Sequence, residues 1–375
     1  MAVFNTVLPF PFLLYEKSGW RGIALDVLVV RGTFDLGSDG NPMRLAAVQT
    51  PLQLGDEHAG DLEHDVLGAV LKSEGDLVAG KSGTDIILSG HIHSPHSKPA
   101  KEWIAGVRVG SLSKGMRVTG PRNFKRTLLG WKITEPAPVT SVALDYRLAF
   151  GGRMVVPDAI SGTAVYFGSN PAGIGWLPTG RDMQGLSWRE KRQLRALIRA
   201  KRSLPAPQFE DHAHPISKPT ERPAPEGFGA IARWWQPRVK LQGTLDKKWE
   251  SEQYPDPPDD YHPRFTHSAH PDLISLTYLQ GDEEVILAQC VPEPKVVTAL
   301  PGIAVQAMTV FANGVHQIRP LALDTVRIDL DKRTCTVLWR TLYDRSNPPV
   351  EIDIIAMPLT MWREVLEEKA RIDNG

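Results

Sequence analysis

With 375 residues the chain is long enough for one large or two medium domains, each with a sizeable core. Lys plus Arg and Asp plus Glu both number 43, so bulk electrostatics drive the chain toward neither nucleic acid nor anionic membrane, and such a partner needs a local patch. Only two cysteines, Cys290 and Cys335, are present, both in apolar strand-like runs; this leaves room for one disulfide, excludes a disulfide scaffold, and makes a small buried hydrophobe the expected role of each.

From the N-terminus, the first charge is Glu16 and two prolines, Pro9 and Pro11, interrupt the leading apolar run, so a signal-peptide pattern is not expected. No stretch is long enough to span a bilayer, and a cytoplasmic location without a membrane partner is expected. The apolar run Ile23 to Val30 predicts a buried strand. In the acidic segment from Gly55 to Glu74, Leu67, Val70 and Leu71 give a helical spacing too weak for a long helix. Thr84 to His93, Trp103 to Val109 and Gly115 to Thr119 predict short strands, with a hairpin turn at Ser111 to Lys114. Val139 to Ala149 alternates loosely, and Gly151, Gly152, Gly173 and Gly175 are expected to supply turns and close packing.

Ser187 to Arg202, SWREKRQLRALIRAKR, predicts a helix that starts with a capping box of Ser187 and Glu190. Leu194, Leu197 and Ile198 share one face, and Arg189, Lys191, Arg192, Arg195, Arg199, Lys201 and Arg202 cover much of the rest. Such a charge run is either a solvated face over a packed stripe or a positive field that steers an acidic partner. Nucleic acid is the weaker alternative, because the only aromatic in the segment is Trp188. A proline-rich segment follows and marks the domain boundary. Leu273 to Leu279, Glu284 to Val291 and Val296 to Leu300 predict strands, Asn313-Gly314 a hairpin turn, and Asp324 to Leu330 with Thr334 to Leu342 the clearest hairpin. Trp362, Val365 and Leu366 predict a terminal helix from Thr360 to Ala370. The fold class is therefore mainly β (β-rich, α+β). Residues 1–180 form one β-rich half, 181–224 a basic helix and proline-rich linker, 225–345 a second β-rich half, and 346–375 a tail with a helix.

Three constellations bear on chemistry. GDLVAGKS, Gly75 to Ser82, matches G-x-x-x-x-G-K-[ST] letter for letter. A phosphate-binding loop needs a strand before it and a helix directly after it, with Lys81 on phosphate and Ser82 on Mg²⁺. Charged residues precede Gly75 and the β-branched run Ile86-Ile87 follows, so nucleotide binding is not expected. In the second, His91 and His93 alternate onto one strand face, similar to the H-x-H-x-D-H of metallo-β-lactamase-type hydrolases, but Pro95 stands where that motif has its aspartate. A metal-dependent hydrolase using His91 and His93 is the alternative function, with His212, His214, His262, His267 and His270 as further imidazoles. The third, Asp256, Asp259 and Asp260, offers a carboxylate pair, although Asp beside proline more often caps a turn, and Arg264 is placed to neutralise Asp260. There is no G-x-S-x-G, and no catalytic residue, metal or cofactor is expected.

Trp234 to Ile274 concentrates Trp234, Trp235 and Trp249 with Arg238, Lys240, Arg264 and the three aspartates, and its prolines prevent one regular element. It predicts an ordered loop, either a docking surface or a loop folded on itself. P-x-G-F-G from Pro225, W-x-P-R from Trp235, G-T-L-D-x-x-W from Gly243 and P-D-D-Y-x-x-R-F from Pro258 resemble the C-terminal half of a bacterial family of uncharacterised-domain proteins encoded beside type VI secretion spike genes. K-x-G-T-D-I-I-L-x-G from Lys81, G-x-x-x-K-G-x-R-V-x-G from Gly110, A-F-G-G from Ala149 and N-P-A-G-x-G from Asn170 resemble its N-terminal half. The resemblance implies a non-enzymatic adaptor or chaperone that binds a secreted effector and helps load it onto the spike protein, and it makes Lys81, Thr84 and Asp85 part of a strand entry. Partner-binding residues are then expected at Trp234, Trp235, Arg238, Trp249, Asp259, Asp260 and Arg264 in the loop, and at Arg195 and Arg199 on the basic helix.

Overall fold

Ile86, Ile87 and Leu88 are buried on both faces of the strand Thr84–Ser89, which is why that segment reads as a continuous apolar run. The computed structural model describes residues 3–4, 6, 8–19, 22–156 and 163–373, and in it this strand lies inside the largest sheet. The order there is Phe12–Ser18, Ala24–Asp35, Thr334–Asp344, Ala322–Asp329, Thr84–Ser89, Ile274–Ser275, with Arg44–Leu45 added to Ala24–Asp35. Thr84–Ser89 runs parallel to Ala322–Asp329, Thr325 opposite Asp85, while Ile274–Ser275 pairs antiparallel on its other side. A second sheet runs Phe209–Glu210, Leu112–Thr119, Glu102–Val109, Glu284–Ala288, Lys295–Ala299. Both sheets draw strands from 1–180 and from 225–345, so the two sequence halves are interleaved in space around one apolar core. Aromatic rings fill part of it, Phe10 stacked on Trp339 at 5.7 Å and Phe34 edge-on to Trp339 at 6.2 Å.

The mainly β class holds, with three α-helices among the described residues. Asp324 to Leu342 forms the expected hairpin, in register from Thr325 opposite Leu338 to Asp329 opposite Thr334, with a register shift between Leu323 and Thr325. Asn313-Gly314 closes the hairpin of Ile303–Phe311 and His316–Pro320, Gly314 adopting φ +77°. The turn expected at Ser111 to Lys114 is tighter and earlier: Leu112 already faces Val109, so Gly110-Ser111 make it and Gly110 takes φ +56°. The weak helical spacing after Gly55 resolves into a 3-10 turn, Val66–Gly68, between paired strands Glu57–Ala59 and Val70–Ser73. Cys290 and Cys335 are free and buried, and burial pushes both thiols up to about 12. That leaves them as core hydrophobes rather than a disulfide.

The basic helix α1, Trp188–Ala200, begins as expected: Glu190 N donates to Ser187 Oγ (3.3 Å) and Ser187 N to the Glu190 carboxylate (2.8 Å). Leu194 is fully buried in a second, smaller core with Phe124, Phe150, Phe167 and Trp176, and Leu197 and Ile198 pack against it. The helix α2, Lys247–Glu252, lies in the aromatic loop, and α3, Leu359–Asp373, ends the described chain.

Candidate functional site

Among the described residues, the most exposed large apolar side chains sit where α1 meets a hairpin. Arg122–Thr127 and Gly130–Ile133 pair antiparallel, leaving Leu128 and Leu129 as a two-residue tip. Such turns usually carry Asn-Gly or a similar pair. Here two leucines occupy it and are 106 % and 101 % exposed, so they serve neither turn chemistry nor the core. On its other edge Arg122–Thr127 pairs with Ser203–Ala206, the segment that leaves α1, and the Arg126 guanidinium donates to the Ile198 and Arg199 carbonyls at the helix end (3.5 and 3.0 Å). These bonds fix the leucine tip beside the cationic helix. Arg189, Arg192, Arg195 and Arg199 on α1 are exposed, as are Lys125, Arg126 and Lys132 on the hairpin. Trp188, 73 % exposed, lies under the Arg192 guanidinium at 5.5 Å. An apolar prong in a positive field is thus built on a chain of zero net charge.

The aromatic loop is divided. Trp235 is fully buried, its ring T-shaped against Tyr146 at 5.7 Å. Arg238 is buried too, donating to the Ile231 carbonyl (2.6 Å), the Phe265 carbonyl (2.9 Å) and Glu74 Oε1 (2.7 Å). Burial removes both from the docking residues that the sequence suggested; they hold the loop to the core. Trp234 is half-buried and stacked on His58 at 5.5 Å, and Trp249 packs on Tyr254 and donates Nε1–H to the Asp256 carbonyl (2.8 Å). These contacts fold the loop on itself. Asp260 accepts from the Thr244 amide and hydroxyl, both at 2.8 Å, rather than pairing with Arg264. Asp259, Asp260 and Arg264 are exposed, so of the loop residues named above these three remain on the surface.

Beneath the loop lies a buried charge network that the GDLVAGKS segment feeds. Lys81 Nζ contacts Asp85 Oδ2 at 2.6 Å and Glu74 Oε2 at 3.6 Å, and a strand follows where a phosphate loop needs a helix. Gly83 is required here, since a Cβ would lie 1.9 Å from the Ser275 carbonyl oxygen of the neighbouring strand. Burial would raise Glu74, but the Lys81 and Arg238 charges outweigh it and hold the carboxyl low. Asp85 is treated alike: burial opposes ionisation, and Lys81 and then His267 override it, holding the carboxyl well below the carboxylate range. His267 Nδ1 lies 2.6 Å from Asp85 Oδ1 and its Nε2 3.1 Å from Ser82 Oγ, while the Ser268 amide donates to Asp85 Oδ2 (2.8 Å). Next along the sheet, Asp76 takes Arg31 and Arg327, each at 2.7 Å, and Arg340 takes Asp324 at 2.6 Å. Sequence reasoning did not assemble this group, because His267 lies 182 residues beyond Asp85 and no local motif joins them.

The other histidines disperse. His91 and His93 share a strand face, but His91 Nδ1 binds Asp331 (2.9 Å), and among the described residues no three His, Cys, Asp or Glu side chains converge to hold a metal. His214 pairs with Asp211 (2.7 Å), and His262 accepts from the Arg264 amide (3.1 Å). Burial pushes the His270 imidazole down to about 4, the Lys114 charge adding to it. The folded state holds this ring neutral where the unfolded chain, with its ordinary value of 6.5, protonates it. Stability is therefore expected to fall as pH drops from 6.5 toward 4, and this group contributes no pH dependence above that window. Chemical denaturation of His270→Asn, which keeps an acceptor for the Asp272 amide, should show that limb flattened; an unchanged limb assigns it to other groups.

A family model described as an uncharacterized protein conserved in bacteria, DUF2169, matches residues 22–340. No curated protein and no solved structure matches the chain.

Proposed function

We propose, since the chain belongs to DUF2169, a family of uncharacterized proteins conserved in bacteria, that it is a type VI secretion adaptor that binds a secreted effector in the cytoplasm and helps load it onto the spike protein. The ordered set of Gly-, Pro- and Trp-rich motifs that resembles such adaptors supports this reading. The structural observation that carries it is the leucine tip, Leu128 and Leu129, held beside the exposed arginines of α1. A surface of this kind suits an effector segment with apolar side chains flanked by acids. The apolar contact supplies affinity, and the positive field raises the encounter rate. Holding an aggregation-prone effector in this way stabilises it by mass action and needs no nucleotide turnover.

Two measurements test it. The chain should co-purify with an effector encoded in its own gene neighbourhood, and deletion should lower that effector's abundance and secretion; an effector that is secreted normally without the chain refutes the role. Arg195→Glu combined with Arg199→Glu is expected to slow association about tenfold at low salt and to flatten its salt dependence, since steering of this size comes from a local field. Leu128→Ser with Leu129→Ser should instead speed dissociation. Both changes fall on exposed side chains, so the free energy of unfolding should stay within about 0.5 kcal/mol of the parent's. Parental binding kinetics in both variants would exclude this surface as the docking site.

A further inference from the structure

We infer that Ser82, His267 and Asp85 form a catalytic triad for acyl transfer, acting on small esters with a short apolar chain. This activity goes beyond the adaptor reading and uses none of the residues of the docking surface. The two distances that define such a triad are met, Ser82 Oγ to His267 Nε2 at 3.1 Å and His267 Nδ1 to Asp85 Oδ1 at 2.6 Å. The tautomer follows from the neighbours. A backbone amide only donates, and that of Ser82 is directed at Nε2 from 3.3 Å, so Nε2 carries a lone pair. An ionised carboxylate only accepts, so the ring proton is on Nδ1, facing Asp85. This is the form of histidine that acts as a base toward a serine hydroxyl. Asp85 is fixed from its other oxygen by Lys81 Nζ and the Ser268 amide, which leaves Oδ1 to orient the ring.

Access has the required asymmetry. His267 and Asp85 are buried, whereas Ser82 is exposed at the edge of a cavity of about 290 Å³ lined by Ile23, Leu25, Ala79, Tyr261, Pro263 and Leu342. That volume lies at the small end of ligand sites, and its apolar walls suit a short acyl chain rather than a charged or extended substrate. In the first half-reaction Ser82 Oγ attacks the ester carbonyl carbon and gives its proton to His267 Nε2, the carbonyl π pair moving onto oxygen. Collapse of that intermediate breaks the carbon–alkoxide bond, and the departing alcohol takes the proton from Nε2, leaving an acyl-serine. Water then attacks the acyl carbon, again passing a proton to Nε2, and collapse returns that proton to Ser82 Oγ with release of the carboxylic acid. The Gly75–Ser82 segment, which imitates a phosphate loop in sequence, supplies the nucleophile.

The full-length chain is treated with a fluorophosphonate probe and, separately, with p-nitrophenyl butyrate. The expected result is a phosphonyl adduct at Ser82, mapped by mass spectrometry, and ester hydrolysis that falls by at least about 10²-fold in Ser82→Ala, the lower range for loss of a positioned nucleophile and base. The thermal midpoint of Ser82→Ala should match the parent's, because the change removes a single hydroxyl from an exposed residue. The buried partner is read in His267→Gln, which keeps an amide acceptor near Ser82 and is first checked for cooperative unfolding; its labelling rate at Ser82 should fall about as far as hydrolysis does. Absence of both labelling and hydrolysis, labelling that persists in Ser82→Ala, or a parental labelling rate in folded His267→Gln would each overturn the triad.

Discussion

Lys81→Met is expected to lower the free energy of unfolding by about 3–5 kcal/mol, the range found when one partner of a buried ion pair is removed. Lys81 is the cation that touches both Asp85 and Glu74, and its side chain is 2 % exposed. Without it Glu74 retains Arg238, but Asp85 keeps only the His267 ring and the Ser268 amide, in a site water does not reach. The pH response carries the same signature. In the parent the folded carboxyl of Asp85 is depressed, so its stabilisation is complete above the unfolded carboxylate value and is lost as pH falls through the folded one. In Lys81→Met the folded value rises, so that loss is exhausted at higher pH. Adding Asp85→Asn should recover part of the deficit, because neutralising both partners removes the uncompensated charge. Urea denaturation at pH 7 decides the matter: a parental midpoint in Lys81→Met would show that Asp85 does not depend on this cation.

Trp235→Ala is expected to cost about 3–5 kcal/mol of stability, as aromatic truncations in a packed core do. The fully buried ring holds the start of the loop against Tyr146. Its Nε1 finds no hydrogen-bond partner among the described residues, so Trp235→Phe forfeits no polar contact and should cost far less than the alanine change. If the residue docks a partner instead, affinity falls while the unfolding midpoint stays. The burial places the loss in stability, with the affinity of the remaining folded fraction unchanged.

The elements that were legible are those whose signal is local. The Ser187 and Glu190 capping box lies within one helical turn, and the alternation of Val326, Ile328 and Leu330 against Arg327 and Asp329 is complete within a few residues of the turn that uses it. Trp235 was ambiguous because a large ring beside arginine reads alike whether it faces a partner or a core; only the position of Tyr146, 89 residues earlier in the chain, separates the two. For Asp260 the sequence offers both a turn cap and the nearby Arg264; the carboxylate takes the amide and hydroxyl of Thr244, 16 residues earlier, a donor pair that no local spacing announces. Ser82, Asp85 and His267 were each visible as residues. Nothing in their spacing announces that the loop before Ile274–Ser275 lays His267 over the entrance to Thr84–Ser89.

The parallel pairing of Thr84–Ser89 with Ala322–Asp329 sets the order of events at the ribosome. Synthesis proceeds at about 5–20 residues per second, so the buried strand waits roughly 10–50 s between its own emergence and that of its partner. Through that interval Ile86, Ile87 and Leu88 are exposed on a nascent chain with unpaired strand edges, the condition that recruits holdase chaperones or drives aggregation. Thr334–Asp344, which seats between Ala322–Asp329 and Ala24–Asp35, emerges later still. Ribosomes stalled shortly before codon 334 should therefore carry a protease-sensitive chain, with protection of the N-terminal strands appearing only after that segment has cleared the exit tunnel.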